Sequence, residues 1–436
     1  AGEIHYLGDE FRRELALKLE KACGPIVRFA LGIDVEPGLT QNPNPGSYGA
    51  NRNLILLAAA GNTVAFSDDD TIPDFRCLPG NLPGLSLFSG YDPTIVKPFA
   101  DFAGLEIFGL APADGPLEPH RRLLGQRCAG LARKADPLVL DDADYETISH
   151  LAESGDPAVP GAPDARIAAL CFCSWGDSGM GAARYLLSAR DRIDAEIRDR
   201  DEYEEMVRSG LVFRGPRRES LVVGAFIGGH VALDARNLLP PFSPMGRNED
   251  TLWGFLLAYL HPDLTIGYPL PAILHKPERP RGGSREEYIR WDLGLNDILT
   301  MAARRLSDGF SRGEAAYEAL GSRLSALAAG PRGKFRKIIA GDAVDAALGR
   351  IRLLESLLER YDYEPEWWAG DVSDAIEYIR NRLDDGMFWI PSEFGGDEEP
   401  LVCYISRMGA LLSVWPRVFE AALRVSPDLL RRHGTF

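Results

Sequence analysis

The sequence predicts an α/β protein: a sheet domain over residues 1–280 followed by a helical domain over 281–436. Three observations predict it. A chain of 436 residues exceeds one ordinary domain. Its first part alternates short β-branched or apolar runs with amphipathic helical patterns, which is the signature of a sheet with crossover helices. After about residue 281 long helical patterns take over.

The elements follow in order. Phe11, Leu15, Leu19 and Ala22 fall on one helical face, and Gly24-Pro25 stops that helix. Residues 26–33 read as an apolar, β-leaning strand. A loop rich in Pro, Asn and Gly covers 37–47. A helix is expected over 49–60, closed by Gly61-Asn62. Thr63-Val64-Ala65-Phe66 reads as a strand running into Ser67-Asp68-Asp69-Asp70. Strand, helix, strand at this spacing predicts a βαβ unit, with the aspartates at the carboxyl end of a buried strand, where such sheets bind ligands. Residues 74–165 are expected as a long insertion away from the sheet. Strands follow over 166–172, 221–227 and 264–274, with helices over 185–200 and from Asn248 through Trp253, Leu256 and Leu260. Ser284-x-x-Glu287 is a capping box. Helices are expected over 288–306, 314–328, 343–361 and 374–383, with a final pair over 401–425.

The net charge of −16 argues against a nucleic-acid partner, which calls for a basic face. It leaves room for a phosphorylated ligand, because a bound cation supplies positive charge. No apolar run reaches membrane-spanning length, and no leader is expected at the first residues. The six cysteines show no zinc-finger spacing and are expected as reduced thiols of a cytoplasmic protein.

Four stretches carry candidate chemistry. Asp68, Asp69 and Asp70 can offer carboxylate oxygens to a hard divalent cation, which neutralises a departing diphosphate. They can equally cap the next turn. The haloacid-dehalogenase phosphatases also place two aspartates after a strand, but require Thr or Val where Ile72 stands here. Arg247-Asn248-Glu249-Asp250 offers a carboxylate base for an acceptor hydroxyl. The alternative is Asn248 as N-cap, with acids complementing the helix dipole. In Gly49-Ala50-Asn51-Arg52-Asn53, small residues and a cation suit close approach to a nucleotide. Otherwise this is a helix start with a surface arginine. His275 ends a strand and can complete a metal site; a lone histidine is more often an ordinary polar residue. Gly176-Asp177-Ser178-Gly179 is expected as a turn lining the cleft, and Tyr361, Tyr363, Trp367 and Trp368 as core between helices.

Together Gly49, Arg52-Asn53, Phe66-Ser67-Asp68-Asp69-Asp70 and Glu249-Asp250 resemble the motif set of GT-A glycosyltransferases, family two above all, over residues 25–275. The resemblance implies a GT-A-like, Rossmann-like mixed sheet followed by the helical domain. It implies a nucleotide-sugar donor, an acceptor not named by the sequence, and Mn²⁺ or Mg²⁺. Asp68, Asp70 and His275 would be metal ligands, and Gly49, Arg52, Asn53 and Asp69 would bind the donor. Asp250, with Glu249, would be catalytic in an inverting hexosyl transfer. The family's first strand–helix–strand unit is only partly represented, so the N-terminal unit is expected to begin late. Two rivals remain: a non-catalytic scaffold reusing the fold, and a nucleotidyltransferase, which needs a glycine-rich phosphate loop that the sequence lacks.

Overall fold

The computed structural model describes residues 7–33, 48–89, 93–128, 131, 165–177, 185–188, 197, 199–307, 313–386 and 388–433. It opens with α1 (Asp9–Cys23), which buries Phe11, Leu15 and Leu19 and ends at Gly24. Gly24 takes a positive φ of 83° and donates its N–H to the Glu20 carbonyl. The run expected as a strand over 26–33 is instead a short helix, α2 (Ile26–Ala30). A continuous apolar run fits a buried helix as well as a buried strand, and tertiary burial decides between them. Here Val27, Phe29, Ala30 and Leu31 are all enclosed, with Phe29 edge-on to Tyr404 at 5.4 Å. The expected βαβ opening therefore does not form.

The expected helix over 49–60 is α3 (Tyr48–Ala58), and the short strand after it is β1 (Thr63–Ser67). β1 is an edge strand with alternate exposed residues and pairs antiparallel, so the aspartates do not follow a buried parallel strand. β2 (Thr71–Cys77), β3 (Leu85–Ser89) and β4 (Thr94–Phe99) come next. All three join the sheet, so this part of 74–165 is no excursion from it. α4 (Phe102–Ile107), β5 (Ala111–Pro112) and α5 (Leu117–Leu123) follow. The rest of the expected insertion, the loop over 37–47 and Ser178–Gly179 lie outside the described residues.

β6 (Arg166–Asp177) is the spine of the sheet. Ile167 to Cys173 is an unbroken apolar run buried on both faces, as a central strand requires. Its first half lies between β9 and β10, its second half between β7 and β11. α6 (Tyr185–Ser188) and α7 (Arg200–Ser209) carry the chain onward to β7 (Leu211–Pro216). Of the helix expected over 185–200, only α6 and single residues beyond it are described. β8 (Glu219–Val223) stops at Gly224, short of the expected Ile227, because Gly224 turns the chain at a φ of 83°. β9 (His230–Asp234), α8 (Glu249–Leu260), β10 (Leu264–Tyr268) and β11 (Ala272–His275) complete the eleven-stranded mixed sheet. β3 with β8, β6 with β10 and β6 with β11 run parallel; the other described pairs run antiparallel.

The helices that follow are α9 (Arg285–Ile289), α10 (Leu295–Leu306), α11 (Glu314–Ala329), α12 (Arg332–Arg360), α13 (Glu366–Asp384) and α14 (Glu398–Arg432). Ser284 and Glu287 form the expected capping box on α9. The single helix expected over 288–306 is broken between α9 and α10. The pair expected over 401–425 is one helix of 35 residues that continues through Pro416 and Pro427. α14 reaches back to the N-terminal helices. Ser426 Oγ donates to the Leu57 carbonyl at 2.8 Å, and Trp415 Nε1 to that of Leu239 at 2.7 Å. One apolar core thus runs from Phe11 through the sheet's helical face to Leu429. A second, smaller cluster around Phe75, Leu123, Phe172 and Ile273 fills the opposite face under α5. Trp368 lies in the main core and Tyr363 at the surface. All six cysteines are free thiols. Among the described residues, no helix is long and apolar enough to cross a membrane.

Candidate functional site

The three aspartates form the turn between β1 and β2. The Asp68 N–H donates to the Gly229 carbonyl at 2.9 Å, and Thr71 returns both its N–H and its hydroxyl to the Asp68 carbonyl. This turn lies against the carboxyl ends of two adjacent parallel strands. His275 ends β11 and pairs with Gly176, one residue before Asp177 at the end of β6. An added Cβ at Gly176 would sit 2.5 Å from the His275 carbonyl oxygen, so that crossing requires glycine. Ligands of α/β sheets bind at such carboxyl ends.

Asp70 and His275 lie next to each other. His275 is 8% exposed, and its Nδ1 lies 2.6 Å from the Asp177 carbonyl oxygen. A carbonyl only accepts, so Nδ1 carries the proton and donates. Nε2 of the same ring lies 2.9 Å from Asp70 Oδ1. Asp70 Oδ1 is enclosed and makes no hydrogen bond. With the ring protonated the two form an ion pair; with it neutral, Nε2 and Oδ1 can both turn to one cation beside them. Adjacent ligands on an octahedral ion with bonds of about 2.1 Å are about 3.0 Å apart, so this pair fits a hard divalent cation. Among the described residues, no group of three or more His, Cys, Asp or Glu side chains converges as a metal cage. A Mg²⁺-type site needs only one or two carboxylates when substrate phosphates complete the shell. The second Asp70 oxygen faces the Arg281 guanidinium.

Behind the turn lies a buried charge relay. Arg52, on α3, is 7% exposed. Its Nη1 lies 2.5 Å from Glu249 Oε1, its Nη2 donates to the Gly228 carbonyl at 2.8 Å, and Asp68 Oδ1 is 3.6 Å away. A Cβ at Gly228 would fall within 2.5 Å of the guanidinium, so a larger residue there would push Arg52 out of this position. Burial raises the Asp68 carboxyl above its ordinary range; Arg52 opposes that, and Asp70 adds to it. Burial pushes Glu249 up to about 7 against the pull of Arg52, with the charges of Asp250 and Asp68 reinforcing the rise. Glu249 and Asp250 open α8, as expected. Asn248 takes the N-cap position in the left-handed region, with a φ of 65°, but its side chain caps nothing and instead reaches Asp297. Asp250 is half-buried, and one of its oxygens accepts from the Thr251 N–H at 2.8 Å.

The sequence-predicted residues thus separate into two groups. Asp68, Asp70, His275, Arg52 and Glu249 are brought together, Asp250 adjoins them, and Asp69 lies exposed on the turn. Gly49 and Asn53 sit in the interior instead of on a surface that a nucleotide reaches. A Cβ at Gly49 would lie 1.7 Å from the Ser243 carbonyl oxygen, so its small size serves helix-to-loop packing. Asn53 is fully buried; its amide donates to the Ala30 and Phe242 carbonyls and accepts from the Phe242 N–H. Arg52 likewise faces inward, bound to protein carboxylates. Asp177, expected only as part of a turn lining the cleft, orients His275 through its carbonyl, and sequence reasoning missed Arg281, which neutralises Asp70. Arg281 carried one readable signal: it closes a basic, proline-rich run, Lys276 to Arg281, in an acidic chain.

On the other side of the β1–β9 pair, Ser67 Oγ contacts His230 Nδ1, and His120 stacks on His230 with centroids 5.9 Å apart. Burial, and then the neighbouring His120, lower His230 to about 4. The chain matches no family model, no curated protein and no solved structure.

Proposed function

We propose that this chain is a metal-dependent glycosyltransferase on a GT-A-like mixed sheet, moving a sugar from a nucleotide-sugar donor to an acceptor hydroxyl with inversion. The observation that carries the reading is the Asp70–His275 pair, whose Oδ1 and Nε2 lie 2.9 Å apart at the carboxyl end of the sheet. Asp70 and His275 would hold Mn²⁺ or Mg²⁺, with Asp68 beside them. A cation bound there supplies the positive charge that lets a diphosphate depart.

The chain's own residues do the rest. Arg52 and Glu249 fix Asp68 from behind, and Asp177 holds His275 in the tautomer that presents Nε2. Asp250 is the base. The acceptor oxygen attacks the anomeric carbon as its proton passes to the Asp250 carboxylate. A new carbon–oxygen bond forms, and the bond from the anomeric carbon to the diphosphate oxygen breaks. Its electron pair leaves with the nucleoside diphosphate. Glu249 faces Arg52 and acts by positioning.

The test is hydrolysis of a panel of nucleotide sugars with Mn²⁺, Mg²⁺ or EDTA, following released nucleoside diphosphate. Metal-dependent release from one donor, lost in Asp70→Ala, supports the reading. Absence of metal-dependent nucleotide binding across the panel overturns it in favour of the non-catalytic scaffold. One observation favours that second reading: the Arg281 guanidinium pairs with Asp70 and balances its charge.

A further inference from the structure

Arg281 lies on a strap, Lys276 to Gly283, that leaves β11 at His275 and enters α9 at Ser284. The strap is pinned along its length. The Lys276 N–H donates to the Asp70 carbonyl at 2.8 Å, and the Arg281 N–H donates to Asp177 Oδ2 at 2.8 Å. Gly282 presses so closely on the end of α7 that an added Cβ would lie 2.4 Å from the Arg208 carbonyl oxygen. Beyond the capping box, Arg285 pairs with both Asp371 and Asp374 across α9 and α13. The backbone of Arg281 is therefore fixed while its side chain, 41% exposed, projects over the turn to Asp70.

The charges around this contact are lopsided. Asp68, Asp69, Asp70, Glu249 and Asp250 gather at one end of the sheet. Arg52 is buried and fully engaged with Glu249, Asp68 and Gly228. Among the described residues, Arg281 brings a second guanidinium to this end of the sheet, 41% exposed on a pinned backbone. Its Asp70 oxygen belongs to the carboxylate that His275 shares. The guanidinium takes Oδ2 and His275 faces Oδ1, so a divalent cation on Oδ1 competes with Arg281 for the charge of the carboxylate, not for the same oxygen.

Building on the glycosyltransferase reading, we propose that Arg281 is a diphosphate-binding residue that Asp70 holds in reserve. In the ligand-free chain Arg281 neutralises Asp70. A divalent cation at Asp70 and His275 draws on the carboxylate's charge and loosens its hold on the guanidinium, which turns on its fixed backbone toward the diphosphate of the incoming donor. A guanidinium suits that task because its planar fork pairs with phosphate oxygens two at a time. Metal and donor then bind in order, since the metal both bridges the diphosphate and frees the arginine that grips it.

The prediction has opposite signs for the two ligands. Arg281→Gln removes a competitor of the metal and a partner of the phosphate. Mn²⁺ binding to the otherwise ligand-free protein, read from the electron-paramagnetic-resonance signal of free Mn²⁺, should tighten by about twofold to fivefold, the size of an exposed ion pair. Binding of UDP, GDP, ADP and CDP to the Mn²⁺-saturated protein, read by calorimetry, should weaken by about tenfold for whichever one binds wild type. Arg281→Lys keeps the charge without the fork and should fall between. Unchanged nucleotide affinity in Arg281→Gln, with folding intact by circular dichroism, overturns the phosphate role. Weaker nucleotide binding without tighter Mn²⁺ binding overturns the reserve held by Asp70. Wild type binding neither Mn²⁺ nor any nucleoside diphosphate removes the glycosyltransferase reading itself, and this inference with it.

Discussion

Arg52 and Glu249 are 197 residues apart in the sequence, yet Nη1 of one lies 2.5 Å from Oε1 of the other. The contact joins the middle of α3 to the first turn of α8 and sets the floor of the candidate site. Both side chains are less than a tenth exposed. A buried pair adds little net stability over an apolar replacement, but losing one partner strands a charge. Arg52→Ala should cost about 3–5 kcal/mol in chemical denaturation. The double variant Arg52→Met, Glu249→Gln should recover a large part of that loss. A single variant as stable as wild type would show that the pair is not formed in solution.

Asp250 and Glu249 are adjacent but face different surroundings, one half-buried, the other enclosed against Arg52. Asp250→Asn should lower transfer by about 10²- to 10⁴-fold, the usual contribution of a general base, with nucleotide affinity unchanged. Calorimetric titration of the nucleoside diphosphate separates the two effects. Loss of binding in this variant would move Asp250 from base to ligand.

Gly49 and Gly370 make a matched pair of opposite sign. Both are helical, on α3 and α13. A Cβ on Gly49 would collide with the Ser243 backbone, and one on Gly370 meets nothing within 4 Å. Gly49→Ala should cost more than about 4 kcal/mol, since backbone must move. Gly370→Ala should stabilise by about 0.5–1 kcal/mol through helix propensity. Thermal melts of the two variants check both directions.

His230 makes stability fall in acid. Its pKa drops from an ordinary 6.5 to about 4 on folding, so the unfolded chain binds the extra proton between those values. Stability from this group is whole above pH 6.5 and is lost as the pH falls toward 4. The shift corresponds to about 3 kcal/mol. His230→Phe keeps an aromatic ring against Phe75 and Phe172 and should flatten the decline of unfolding free energy between pH 6.5 and 4 by about one proton's worth. An unchanged slope would place the acid sensitivity elsewhere.

Much of the fold was legible where local physics and tertiary context agree. The periodicity of Phe11, Leu15 and Leu19, the stop at Gly24, the capping box at Ser284 and the buried run of β6 all form as their residue types direct. The class, a sheet part followed by a helical part, followed from those signals. The candidate site was legible as a set of residue types: carboxylates in a turn, a histidine ending a strand, acids opening a helix. What the sequence left open turned on partners far along the chain. Residues 26–30 became helix because α14, nearly 400 residues on, encloses their apolar faces, and no local pattern encodes that enclosure. β1 became an edge strand because its pairing partner is β9, not a neighbour built from residues 26–33. Gly49, Arg52 and Asn53 read as a nucleotide cradle, but only packing shows which way a helix turns its polar face, and here it turns inward to Ser243, Glu249 and Phe242. The sequence by itself determined which chemical groups the chain could bring to a site. The tertiary structure alone decided their company: the tautomer of His275 set by Asp177, the burial of Glu249, and the arginine laid across Asp70. Those are properties of distance and dielectric, and a chain acquires them only when segments remote in sequence close on one another.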